Sequence, residues 1–464
     1  MHPRADIFGN KVYTGKCILA NRFRNDFRFF HTENFRNVEP LTLNPVHPHS
    51  DSGDNPVKKN LYVFAMITIL AGTTLTMYGK DDQSMNDADL RTQAEQLAEE
   101  LIILDSHIDA PYQLTKEYVD WTQPSDRHFD YPKAVKGGLD APFMSIYISP
   151  KYQDGGAKMQ ADELIGMVQK QVNAHPDKFA IPLSPSDVRK HVTAGKMSVA
   201  MGMENGAPIE GDLANLQYFF DWGIRYITLT HAKDNHICDS SYDTTYTWDG
   251  LSPFGKKLIP AMNNIGMMID ISHVTDSTAF QVLELSKAPV VATHSGCRKF
   301  TPGFHRNMSD TLIKALAKRD GIVQINFGSY FVSDSYRQHR GDRSENIRAY
   351  LDEHGLERSD PEAKSYIEEY DQEHPLADAD ISDVVQHIDH VVQLVGIDHV
   401  GLGSDYDGVG SVPTGLEDVS KYPNLIYELL KEGYSESDIR KICSGNFLRV
   451  WEEVEHVAND PESG

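Results

Sequence analysis

The stretch Ile102-Ile103-Leu104-Asp105-Ser106-His107-Ile108-Asp109 decides how the rest of the chain is read. Three consecutive apolar residues form a short buried strand, and the polar residues closing it put His107 and Asp109 two apart. Strand side chains alternate faces, so these two point the same way and can grip one ion together. A helical segment near 88–101 leads into this strand. Further β-like runs follow near 143–148, 198–203, 225–229, 267–271, 290–293, 322–326 and 400–403, and helical patterns near 160–174, 213–222, 275–285 and 310–318 fall between them. Eight strands alternating with helices predict an α/β protein, a closed (β/α)8 TIM barrel over 87–455. A doubly wound sheet is the competitor. It fails for want of a glycine-rich nucleotide fingerprint after the first strand.

In such a barrel, chemistry collects at the C-terminal ends of the strands. His107 and Asp109 end the first strand, Glu204 the third, His231 the fourth, His273 the fifth, His294 the sixth and Asp405 the eighth. A dry interior does not tolerate that many carboxylates and imidazoles without compensating charge, and a metal supplies it. One ion needs three protein ligands and water. The five candidates His107, Asp109, Glu204, His273 and His294 suit two ions, expected to be Zn2+, with Glu204 and a hydroxide bridging them. The same donors also suit cobalt or manganese. His387-Ile388-Asp389 repeats the spacing inside an apolar 3.6-residue stripe that ends at Gly396. On a helix, residues two apart diverge, so this copy is read as a solvated helix face that cannot chelate.

The 464 residues carry 44 Lys and Arg against 68 Asp and Glu, a formal net charge of −24, which excludes a general phosphate-backbone binder and so nucleic acid as a partner. Hydrophobic content of 40% is ordinary globular usage. Cys17, Cys238, Cys297 and Cys443 are too scattered for a disulfide scaffold. Residues 1–56 show no sustained period and read as a disordered or non-native extension. Residues 57–80 open with Lys58-Lys59 and continue into an uncharged apolar run, the layout of a signal peptide or N-terminal membrane anchor. The expectation is therefore an exported protein, periplasmic, secreted or N-terminally anchored, whose true start lies near Val57. A charged insertion at 333–381 holds two helices, near 343–351 and 361–370, read as solvated or as a lid over the barrel mouth.

The chain resembles the membrane (renal) dipeptidase family of the amidohydrolase superfamily, as a bacterial-type member. The resemblance rests on seven motifs in order: Asp105-Ser106-His107-Ile108-Asp109, Gly202-Met203-Glu204-Asn205-Gly206, Leu229-Thr230-His231, Ile269-Asp270-Ile271-Ser272-His273-Val274, Thr293-His294-Ser295, Arg306-Asn307-Met308 and Gly403-Ser404-Asp405-Tyr406-Asp407-Gly408. It implies a binuclear zinc dipeptidase, with His107, Asp109 and Glu204 on one ion and Glu204, His273 and His294 on the other. It also implies that His231 and Arg306 touch a dipeptide substrate. Family members often have Gly-Gly after the bridging glutamate, where Asn205-Gly206 stands here. No hydrophobic anchor signal follows Trp451, so a C-terminal lipid anchor does not carry over.

Chemistry and resemblance together give a mechanism. The bridging hydroxide attacks the peptide carbonyl, and the ions and His231 stabilise the oxyanion. Asp405 relays the proton to the leaving amine. Arg306 clamps the α-carboxylate, with Arg298 as its rival, and Tyr330 lines the pocket. The alternatives are a metal-dependent amidohydrolase of another bond, such as a lactone or an N-acyl amino acid, and a catalytically inactive peptide-binding barrel. A homodimer and an N-terminal membrane association are the other partners the sequence allows.

Overall fold

Eight strands follow one another around one sheet in chain order. They are β1 (Ile103–Ile108), β2 (Leu139–Tyr147), β3 (Ala200–Glu204), β4 (Ile224–Thr228), β5 (Met268–Asp270), β6 (Val291–Ser295), β7 (Ile322–Ile325) and β8 (Val400–Leu402). Every neighbouring pair is parallel. The barrel closes between β1 and the loop after β8. Ile108 bridges Tyr406, the Asp109 N–H donates to Tyr406 O at 2.8 Å, and the Asp405 N–H donates to His107 O at 3.0 Å. The structure is a computed structural model describing residues 86–376 and 379–460.

Strands buried on both faces need helices around them, which is why most read as nearly continuous apolar runs. The helices expected at 160–174, 213–222, 275–285 and 310–318 are Ala157–Ala174, Leu213–Asp221, Asp276–Leu285 and Asp310–Ala317. The last three are capped by the side chains of Asp212, Thr275 and Ser309, each accepting a free N–H of the first turn. Two strands differ from expectation. β2 begins at Leu139, where Gly138 at φ 72 ends the preceding helix. The strand expected at 198–203 divides: Met197–Ser198 pairs with Phe179–Ala180 in a separate two-stranded sheet, and only Ala200–Glu204 enters the barrel.

The far end of the barrel is plugged by the helix Asn446–Asn459, whose Phe447 and Trp451 pack on Phe143 with ring centroids 5.2 and 5.4 Å apart. Phe143 in turn stacks on Tyr226 at 5.6 Å. A column of rings therefore fills the barrel from its floor up to the polar layer.

The insertion helices are longer than expected, Asp334–His354 and Pro361–Glu373. The first starts early because the Ser333 side chain caps it. Ile347, Leu351 and Ala363 give the pair a small core of its own. The repeated His-x-Asp lies on the helix Ile381–Val395, as its period requires. The solvated reading of that face is wrong for His387, which is fully buried. Its Nδ1 accepts the Cys297 N–H at 2.8 Å and its Nε2 lies 3.2 Å from Val332 O. Burial pushes its pKa down to about 4, so this imidazole is a neutral strut between two loops. Asp389 faces elsewhere and accepts from Tyr434 at 2.6 Å.

The extension at 1–56 and the apolar run at 57–80 lie outside the described residues. Among the described residues no helix is long and apolar enough to cross a membrane. Cys238, Cys297 and Cys443 are buried free thiols.

Candidate metal centre

Glu204, the last residue of β3, stands at the middle of the polar layer and is only 4% exposed. Its two oxygens serve different groups. Oε2 lies 3.4 Å from His107 Nε2, which is itself 3.5 Å from Asp109 Oδ2. Oε1 lies 3.1, 3.4 and 3.5 Å from the Nε2 atoms of His273, His294 and His231. Ligand atoms of three overlapping trios fall within 4.8 Å of one another: His107, Glu204 and His294; Glu204, His231 and His273; His107, Asp109 and Asp405. All seven strand-end residues thus meet in one place. His231 and Asp405 come as close to the cluster as the five residues read as ligands.

Backbone and packing explain how they crowd together. His273 and Asp405 sit at φ 71 and 64, a left-handed conformation that costs energy for residues other than glycine and is typical of functional sites. Asn205, directly after Glu204, is also left-handed at φ 76. Asparagine tolerates this geometry when its side chain bonds locally. Here its Oδ1 accepts the Ala207 N–H at 3.3 Å, and its Nδ2 donates to Ile148 O at 2.9 Å. Gly408 is required for a different reason: a Cβ there would overlap the carboxylates of Asp109 and Asp405.

Two hydroxyls orient two of the imidazoles. Tyr226 donates its single proton to Ser106 O at 3.1 Å, so its oxygen is left to accept from His107 Nδ1–H, 2.8 Å away. Thr293 donates to Asp270 Oδ2 at 2.6 Å and accepts in the same way from His294 Nδ1, 2.9 Å away. Both histidines therefore turn Nε2 toward Glu204. Gly202, paired with Tyr226 across β3 and β4, leaves room for that ring, which a Cβ would overlap.

The electrostatics describe a site short of positive charge. Burial opposes ionisation of Glu204, but His107 and His231 outweigh it and hold its carboxyl well below the usual range. Burial also disfavours charge on His107, yet Tyr226, Glu204 and Asp109 together hold its proton well above the imidazole range. Burial and neighbouring cations keep His273 and His294 neutral. Burial and the Asp109 charge push Asp405 well above a normal carboxyl. His107 Nε2 is buried without a hydrogen-bond partner among the described residues. The neutral rings of His273 and His294, the crowded carboxylates and the unpartnered Nε2 of His107 are the donor set a divalent cation draws on once it displaces the His107 proton, so the residues fit metal ions.

A cavity of about 780 Å³ opens from this cluster, and both His231 and Tyr330 line it. Arg306 is 3% exposed and behind the wall. Its Nη1 donates to Ser295 Oγ at 2.8 Å and its Nη2 to His294 O at 2.7 Å, leaving Nε unpartnered among the described residues. Its rival Arg298 is committed to a bidentate pair with Asp276 at 2.7 and 2.8 Å.

Sequence reasoning missed several residues here. Asn326 donates to Asp405 Oδ2 at 2.8 Å. It ends the run read as the seventh strand, and the strand-end rule applied there as well would have found it. Ser145 reaches Glu204 Oε2 at 3.2 Å. Tyr226 and Thr293 lie inside strands, where only the register with neighbouring strands reveals what they touch.

Known proteins resemble this chain. The sequence pattern of the membrane dipeptidase family, peptidase family M19, matches residues 91–463. Dipeptidase aclJ of Aspergillus oryzae is 33% identical over 338 residues, covering 71% of this chain and 70% of that protein. The crystal structure of the probable dipeptidase PvdM from Pseudomonas aeruginosa superposes with a TM-score of 0.70 at 30% identity, over 80% of this chain and 100% of that one. A metallo peptidase from Rhodobacter sphaeroides, solved with a phosphinate mimic of the dipeptide L-Ala-D-Ala, shares the fold at 24% identity and a TM-score of 0.63, over 76% of this chain and 99% of that one. With its strand-end carboxylates and imidazoles gathered on one glutamate, the chain belongs to the membrane dipeptidase family, peptidase family M19.

Proposed function

We propose that the protein hydrolyses dipeptides with two divalent cations, Zn2+ by preference, held on either side of Glu204. One observation carries the reading: the two oxygens of a single buried carboxylate face different donors, Oε2 toward His107 and Oε1 toward His231, His273 and His294. His107 and Asp109 would hold one ion, and His273 and His294 the other. When bound, such ions lower the pKa of water to near neutrality and polarise a carbonyl. The protein's own groups do the rest. Burial pushes the His231 pKa down, and the ring lines the cavity, positioned to steady the oxygen of the attacked carbonyl. Asp405, with Oδ2 held by Asn326, takes the proton of the nucleophile and returns it to the leaving amine. Arg306, from behind the wall, supplies a fixed positive charge that favours the substrate's α-carboxylate. Export through the segment at 57–80 belongs to the same proposal, on the strength of Lys58-Lys59 and the apolar run after them.

The test is metal content and dipeptide turnover for the wild type and Asp405→Asn, with lactones and N-acyl amino acids in the same panel. The expected result is dipeptide cleavage, with metal retained and kcat reduced about 10²–10⁴-fold in the variant. Loss of metal in Asp405→Asn would make that carboxylate a ligand, a role its closeness to His107 and Asp109 also supports. Cleavage of lactones but not dipeptides would overturn the assignment.

A further inference from the structure

The mouth of the cavity reverses the sign of the chain. The protein has a formal net charge of −24. On the cavity wall, however, the acids are already engaged. Asp109, Glu204 and Asp405 converge on imidazoles at the floor, and Asp407 accepts the N–H groups of His128 and Phe129 at 2.8 and 3.2 Å. The remaining charges on that wall are Lys116 and Arg340, both exposed. Their partners are neutral. Lys116 Nζ donates to Gln113 Oε1 at 3.1 Å and lies 5.1 Å from the Tyr112 ring centre. Arg340 Nη1 donates to the Tyr336 hydroxyl at 3.3 Å, and Tyr336 is only 2% exposed, so the phenol steadying the arginine is itself fixed. Arg337 on the same helix shows the contrast, paired with Asp334 at 3.2 Å and packed over Phe304 at 4.2 Å.

From this geometry we propose that the preferred substrates are dipeptides with an acidic side chain, whose carboxylate is met by Arg340 and Lys116 at the cavity mouth. The proposal rests on the dipeptidase reading and names its substrate class. The charged insertion thereby becomes part of the site, because Arg340 lies on the helix Asp334–His354. A substrate carboxylate gains the acidic pairing these cations lack among the described residues, and a substrate ammonium is repelled.

The experiment compares kcat/KM for Glu-Ala, Gln-Ala and Lys-Ala and for Ala-Glu, Ala-Gln and Ala-Lys, using wild type, Lys116→Gln, Arg340→Gln and Arg340→Glu. Glutamate and glutamine have the same shape, so their ratio isolates charge. At one of the two positions the wild type is expected to favour Glu over Gln by about three- to tenfold and to disfavour Lys. Each neutral variant brings that ratio toward one, Arg340→Glu inverts it in favour of Lys, and high salt shrinks it. A wild-type ratio near one at both positions overturns the inference while leaving the dipeptidase reading intact. An Arg340→Gln variant that slows Glu and Gln substrates equally also overturns it, assigning the arginine to the α-carboxylate. If no dipeptide in the panel is cleaved, the underlying reading fails first, and the two failures are distinguishable.

Discussion

At the scale of single residues, the centre depends as much on hydroxyls as on ligands. Tyr226 and Thr293 each spend their one proton elsewhere and so accept from an imidazole Nδ1–H. Removing such a partner in a metal site costs about 10–100-fold in affinity. Tyr226→Phe and Thr293→Val are therefore expected to bind zinc about that much more weakly in a competition titration against a chelating dye, while Thr293→Ser, which keeps the hydroxyl, stays near wild type. Equal affinity in all of them would remove the orienting role. The strand-end rule read His107, Asp109, Glu204, His273, His294, His231 and Asp405 from residue type and spacing alone. Tyr226 was not legible that way, because its function comes from facing Gly202 on the next strand, a register no single stretch encodes. His387 was misread for a related reason. A helical stripe shows which residues share a face, but not that a histidine beside the stripe meets Cys297 and Val332 from other parts of the chain.

At the scale of elements, the first two strands carry a cost that pH exposes. Asp140 on β2 accepts the Ile103 N–H at 3.1 Å, and its burial raises its pKa to about 6. A carboxyl whose pKa rises on folding takes up a proton as the chain folds. Its penalty is therefore absent below the unfolded value near 4 and complete above about pH 6. Asp140→Asn keeps an acceptor for Ile103 and removes the charge. In urea unfolding it is expected to stabilise the protein by about 2 kcal/mol at pH 7.5 and to change little near pH 4. An unchanged difference across that range would contradict the burial argument. Helix boundaries were legible from caps and apolar stripes to within a few residues. The insertion helix beginning at Asp334 was not, since its charged, nearly unpatterned surface hides the cap at Ser333.

At the scale of the whole molecule, eight parallel strands support a polar layer that repels itself unless cations fill it. Ion binding is then linked to stability: ions that bind only the folded chain add about 4 kcal/mol at a thousandfold excess over Kd. Stripping the protein with a chelator is expected to lower Tm by more than about 5 °C, with recovery on adding zinc. Glu204→Gln, which loses the charge both donor sets share, should show neither response. The alternation of strands and helices was enough to specify the barrel, and the residues ending each strand were enough to place its centre. Which insertion residues line the cavity mouth was not foreseeable, because that follows from tertiary packing. The most direct measurement is anomalous diffraction at the zinc edge from crystals of the zinc-loaded protein. Two peaks about 3.5–4 Å apart, one beside each oxygen of Glu204, are expected; a single peak, or ions bound away from that carboxylate, would contradict the account.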